Sequence, residues 1–349
     1  MIKSVWGCII VFSIFFPSLI MAENRLAKTA TALTETESVL FSSQPISLPP
    51  GVKQVSIPFL TANLDDFSAL LGQSPLPTPK IKSSLLGYLP NKRARGVVII
   101  SPSSEGVRDA LIGEHIRNFL KISYAVIVVD SYSIRGTTEV LHNQARVSFP
   151  AQVLDILLAI KKIQNMKQFA PLPIGLFGAS RGAMAITLAL DKRLFNTLAI
   201  NAHIRWACVL YPLANLYYDL ADIQPVQLPF LSIVAEKDDE VSPKQAIDYA
   251  HSIKEKNPQM QLMIWPDAVH LFDAPFAKIW LPDANSALHT PIVLIDDKGH
   301  FIFHEKSISN WSAVVALWKE YETKGIHIGH TNNSNRKVLA VIKNFVNKN

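Results

Sequence analysis

The sequence predicts an α/β fold, a mostly parallel central sheet with helices on both faces. Three observations predict it. Gly96–Ser101, Tyr124–Asp130 and Phe230–Ala235 are continuous apolar runs, the composition of strands buried on both sides. Other segments carry a helical period, as in Pro150–Ile163, where Val153, Ile156, Leu157 and Ile160 share one face. The two kinds alternate along the chain, the order that builds a parallel sheet with helical crossovers.

Taken in order, residues 1–22 read as an export signal. Lys3 supplies a positive start, Val5–Ile20 is almost continuously apolar, and Met21-Ala22 offers a small residue before Glu23. An exported protein, periplasmic or secreted, is expected; an uncleaved membrane anchor is the alternative. Cys8 precedes most of the apolar stretch, which argues against a lipoprotein site. Without the signal only Cys208 remains, so no intramolecular disulfide is expected. Cys208 lies in an apolar run and reads as a buried thiol.

Residues 23–80 read as an N-terminal extension, polar and irregular to about Pro50, then a first strand at Val55–Leu60. Residues 81–349 read as the main domain. Strands are expected at Ile81–Leu89, Gly96–Ser101, Tyr124–Asp130, Pro173–Gly178, Trp206–Tyr211, Phe230–Ala235 and Met260–Trp265. Helices are expected at about Val107–Lys121, at Pro150–Ile163, from Gly182, from Ser242-Pro243 to about Glu255, and at about Asn335–Val346. Ser242 suits an N-cap and Pro243 the first helical position. Residues 282–325 interrupt the rhythm. Pro291–Ile295 and His300–His304 flank Asp296-Asp297-Lys298-Gly299 and read as a hairpin. Trp311–Thr323 reads as an amphipathic helix stopped by Gly325. This excursion either covers the active site or decorates an edge.

With 49% hydrophobic and 18% charged residues, the chain can bury a sizeable core and is not a disordered chain. The net charge of +6 is spread out. Its one cluster, Lys92-Arg93-Ala94-Arg95, reads as a solvated turn, so no nucleic-acid partner is expected.

The chemistry centres on Gly178-Ala179-Ser180-Arg181-Gly182, a G-x-S-x-G motif between a short apolar strand and a helix of small residues. A serine hydroxyl needs exposure on a tight turn and a base to take its proton. Later strands supply partners. Phe230–Ala235 runs into Glu236-Lys237-Asp238-Asp239-Glu240, and Met260–Trp265 runs into Pro266-Asp267-Ala268-Val269-His270. His270 is the expected base and Asp238 the expected orienting acid, with Asp239 as the fallback. The expected oxyanion donors are the backbone N–H groups of Arg181 and Ser103, the latter on the loop after Gly96–Ser101.

These pieces resemble α/β-hydrolases of the dienelactone hydrolase family. The resemblance covers roughly Ile81–Trp265, with His270-Leu271-Phe272-Asp273 and the last helix beyond. It rests on Val129–Gly136, the serine elbow, the acid loop, where Asp238 precedes Val241 and Ser242, and Trp265–His270. It implies an α/β-hydrolase fold and hydrolysis of an ester, lactone or related acyl bond. The chain departs from many relatives in having Ser101-Pro102 where they carry His-Gly, and serine where the best-known dienelactone hydrolases use cysteine.

Other polar residues read as structural. Asp130 and Arg135, on a strand-end loop near the expected pocket, are each expected to make a structural hydrogen bond or ion pair, with direct substrate contact as the alternative. His300 and His304, expected in a strand, and His327 and His330, expected in a loop, lack the partners of a zinc site, so no metal or cofactor is expected. The expectation is a serine hydrolase acting on a small-molecule ester or lactone. The alternatives are a peptidase of prolyl-oligopeptidase type and an inactive binding protein.

Overall fold

The computed structural model describes residues 45–349; the expected signal at residues 1–22, Cys8 included, lies outside them. The apolar runs form an eight-stranded sheet. Its first members are β1 (Lys53–Thr61), β2 (Ile81–Leu89) and β3 (Gly96–Ser101). Next come helix α1 (Glu114–Lys121), β4 (Tyr124–Val128), α2 (Phe149–Gln164), β5 (Ile174–Ala179) and α3 (Arg181–Ala189). A short α4 (Lys192–Thr197) leads to β6 (Ile204–Leu210), the three-residue β7 (Leu216–Tyr218) and β8 (Phe230–Ala235). Then follow α5 (Pro243–Lys256) and β9 (Met260–Trp265).

The strand order is β1-β2-β4-β3-β5-β6-β8-β9. Pairing is parallel from β4 through β9 and antiparallel at β1–β2 and β2–β4. Alternation sends successive side chains to opposite faces. Val97, Ile99, Ala125 and Ile127 enter a core under α2, α3 and α5. Val98, Ile100, Val126 and Val128 enter a second core under α1 and the C-terminal helix. The α5 start is as expected, with Ser242 Oγ accepting from Gln245 N at 3.3 Å and Pro243 in the first turn.

Beyond β9 the chain departs from its sequence pattern. β10 (Ile279–Ser286) precedes the expected hairpin, which forms as β11 (Val293–Ile295) and β12 (Phe301–Phe303). β12 ends before His304; His304 and Glu305 make a tight turn at φ 46° and 63° into β13 (Lys306–Ile308). β11 also pairs in parallel with β7. Helix α6 (Trp311–Lys319) stops four residues short of Thr323, because Thr323–Ile328 is not helical but forms β14, antiparallel to β10. Pairing with a distant strand overrides the local helical pattern there. α7 (Ser334–Lys348) closes the chain. The helix expected from Val107 begins instead with one wide π-turn over Asp109–Gly113 before α1. Among the described residues no helix is long and apolar enough to cross a membrane.

Candidate active site

Ser180 stands at the end of β5, with φ 50° and ψ −122°, a backbone conformation that side chains rarely adopt. The glycines around it make that turn possible. A methyl on Gly182 would lie 2.2 Å from the Ser101 carbonyl oxygen and 2.5 Å from that of Pro102. A methyl on Gly178 would lie 2.5 Å from the Gly182 oxygen. The elbow is therefore pressed directly against the backbone of the loop after β3. Ser103, on that loop, is buried, and Arg181 is the first residue of α3, where a helix leaves backbone N–H groups without intrahelical partners.

The three residues expected to act together meet at the C-terminal ends of β5, β8 and β9. His270 Nε2 lies 3.0 Å from Ser180 Oγ, and His270 Nδ1 lies 2.7 Å from Asp238 Oδ2. Asp238 Oδ1 accepts from the backbone N–H groups of Glu240 and Val241, both at 3.0 Å. The carboxylate thus has one oxygen fixed by its own loop and the other committed to the imidazole. Asp239 faces elsewhere. It accepts from His327 N at 2.7 Å and lies 2.7 Å from His327 Nδ1.

The electrostatics are those of a buried site bordered by carboxylates. Burial alone would pull the His270 imidazole down, but the carboxylates of Asp238, Glu240 and Glu105 outweigh it and carry it up to about 10. Glu240 Oε2 lies 3.8 Å from His270 Nε2. Burial, against the pull of His270 but helped by Glu105, Asp238 and Asp239, pushes the Glu240 carboxyl up to about 8. Glu105 is buried on the loop after β3, and its Oε2 has no hydrogen-bond partner among the described residues.

The sequence reading missed a second polar cluster behind His270. The Tyr211 ring packs edge-on against His270 at 4.6 Å between centroids. Its hydroxyl donates to Asp273 Oδ1 at 2.6 Å, and His115 Nε2 lies 2.7 Å from Asp273 Oδ2. Asp273 had a local signal, its place in His270-Leu271-Phe272-Asp273. His115 had none, being 158 residues away in sequence.

Residues after β9 reach the loops that carry Asp238 and His270. Gly329 N donates to the His270 carbonyl at 2.9 Å, and Ala287 N donates to that of Glu240 at 2.7 Å. Ser286 Oγ donates to the Asp239 carbonyl. His327 lies within β14, not in a loop as its flanking glycines had suggested. His330 follows that strand, and His300 lies 3.5 Å from Asp296 in the β11–β12 turn.

The remaining singled-out residues are structural. Arg135 Nη1 pairs with buried Asp155 at 2.7 Å, and Asp130 Oδ1 accepts from Tyr132 N and Ser133 N. Cys208 is buried in β6, its thiol pushed up by burial. The Arg181 side chain runs away from Ser180 under the Phe149 ring, at 4.2 Å, and donates to Gln152 Oε1 at 2.9 Å.

Solved structures similar to the chain include three hydrolases. Carboxyl esterase 2 from the fungus Tuber melanosporum is 14% identical, with 70% of this chain and 88% of that one covered, at a TM-score of 0.48. Esterase B from Lactobacillus rhamnosis is 15% identical over 71% and 88%, at 0.45. A dienelactone hydrolase from Anabaena variabilis is 19% identical over 56% and 85%, at 0.42. A search of curated proteins finds no match to the sequence. The model of the dienelactone hydrolase family matches residues 85–289, which hold Ser180, Asp238 and His270 and span more than half of the chain. The chain belongs to the dienelactone hydrolase family and is a carboxylic ester hydrolase.

Proposed function

We propose that the protein hydrolyses a small-molecule carboxylic ester or lactone through Ser180, His270 and Asp238, by way of an acyl-enzyme. The observation that carries this reading is the unbroken chain of contacts from Ser180 Oγ to His270 at 3.0 Å and from His270 to Asp238 at 2.7 Å. His270 Nε2 takes the hydroxyl proton as Oγ attacks the carbonyl carbon, and the carbonyl π electrons move onto oxygen. The N–H groups of Arg181 and Ser103 receive that oxyanion. Its collapse expels the alcohol oxygen, which takes the proton from Nε2. In a lactone that oxygen stays tethered to the acyl chain. Water then gives a proton to His270 and attacks the ester of Ser180, releasing the acid and restoring the hydroxyl. Asp238 holds Nδ1 protonated throughout, so that Nε2 faces the serine as a base.

On the pattern of residues 1–22, this chemistry takes place outside the cytoplasm. The test is Ser180→Ala with short p-nitrophenyl esters. Turnover and labelling by a fluorophosphonate probe should both disappear while the circular dichroism spectrum is unchanged. An alanine variant that still turns over ester at the wild-type rate would remove the reading.

A further inference from the structure

Asp238 accounts for one nitrogen of His270 and Ser180 for the other, yet a second carboxyl also borders the serine side. Glu240 Oε2 is 3.8 Å from Nε2, and its side chain is only 13% exposed. Its position is fixed at both ends of the peptide unit: Glu240 N donates to Asp238 Oδ1 at 3.0 Å, and its carbonyl accepts from Ala287 N at 2.7 Å. Moving the Glu240 backbone would therefore break a hydrogen bond to Asp238.

We propose that Glu240 is a positioning residue for His270. It is a second carboxylate, set at the ring nitrogen opposite Asp238, that holds the imidazolium formed when Ser180 loses its proton and so sets the pH range in which the enzyme works. The inference rests on the proposed triad. In each half-reaction a proton moves onto Nε2 and creates a positive charge on a buried ring. A negative charge at 3.8 Å stabilises that ring and makes the imidazole a stronger base, at the cost of keeping it protonated to higher pH.

Carboxylates dominate the surroundings of His270, and Arg108, whose Nε donates to the Glu105 carbonyl at 3.1 Å, is a cation on the same loop as Glu105. Glu240 is acted on by His270 and by the carboxylates of Glu105, Asp238 and Asp239. His270 is acted on by Asp238, Glu240 and Glu105, and Tyr211 packs on its ring. Tyr211 is bonded to Asp273, which is bonded to His115, and Asp239 is bonded to His327. Among the described residues no lysine or arginine forms an ion pair with Glu240 or Glu105. The His270 imidazolium, 3.8 Å away, is the cation that the Glu240 carboxylate faces.

The sign of the effect follows. His270 works as a free base, so kcat/KM rises with pH as the imidazole loses its proton, and a raised imidazole places this rise at alkaline pH. Glu240→Gln removes the charge but keeps the shape. The rise should move to lower pH by at least about one unit, and the plateau rate should fall about tenfold as the imidazolium loses its partner. The measurement is kcat/KM for p-nitrophenyl acetate against pH, paired with the pH dependence of fluorophosphonate labelling.

A rise that stays at the wild-type pH in Glu240→Gln, whether or not the rate falls, would overturn the proposal. A merely structural role lowers the rate without moving the profile. If the glutamine variant does not fold, Glu240→Asp withdraws the charge from Nε2 without removing it. It should move the rise in the same direction by less, and an unmoved rise there overturns the proposal equally. Activity retained in Ser180→Ala strikes the triad reading; an inactive alanine variant with an unmoved glutamine profile strikes only the role of Glu240.

Discussion

Replacing Asp238 by asparagine isolates what the proposed orienting acid does. One carboxylate oxygen accepts two backbone N–H groups at 3.0 Å, and the other faces His270 Nδ1 at 2.7 Å. An asparagine must keep its single oxygen on the two backbone donors, since turning its NH2 toward them would oppose donor to donor twice. Its NH2 then points at Nδ1, which must become the acceptor. The proton moves to Nε2 and faces Ser180, where a lone pair was needed. The fold loses little, because the loop hydrogen bonds survive and the shape is unchanged. The chemistry loses its base in the ground state, and the imidazolium loses its buried counter-charge. The expected fall in kcat is about 10⁴-fold, or about 5.4 kcal/mol of transition-state stabilisation. The assay is p-nitrophenyl ester hydrolysis at the wild-type plateau, with thermal unfolding as the control. An asparagine variant within tenfold of wild type, with an unchanged melting temperature, would refute this reasoning about the tautomer.

Asp239→Asn should keep kcat/KM within about threefold, because Asp239 contacts His327 and not His270, and should cost below about 1 kcal/mol, the range of a partly exposed pair; a loss comparable to that of the Asp238 variant would mean that the two acids exchange roles in solution. Gly182→Ala places a methyl 2.2 Å from a backbone oxygen that no rotamer can move away, so it should destabilise the fold by about 3 kcal/mol and also lower kcat, as read by denaturant unfolding and ester turnover.

Much of the site was legible because its residues lie close to strand ends. Ser180 directly follows β5, Asp238 follows β8 by three residues, and His270 follows β9 by five. In a parallel sheet the ends of neighbouring strands share one edge, so apolar runs and short offsets suffice to bring side chains together. The choice of Asp238 over Asp239 was legible only as a spacing, and the geometry supplies its cause: the loop turns so that adjacent carboxylates face different histidines. What could not be read depends on distant pairing. Thr323 looks like the last residue of a helix and His327 like part of a glycine-flanked loop until Ile279–Ser286 lies beside them. Glu240 is one acid in a run of acids until Ala287, Glu105 and His270 close around it. His115 is an ordinary helical histidine until Asp273 arrives from the other end of the chain.

The strap formed by β14 and the residues after it has a consequence for how the enzyme is made. Chains emerge from the ribosome N-terminus first. The turn carrying Ser180 can form from its own strand and helix long before Gly329 reaches the His270 carbonyl or His327 reaches Asp239. The proposed nucleophile, Ser180, is thus present early, and the proposed base, His270, is held in place last. A nascent or C-terminally shortened chain would carry an intact elbow and remain idle, so ester turnover doubles as a sensor of whether the chain from Thr323 onward has docked.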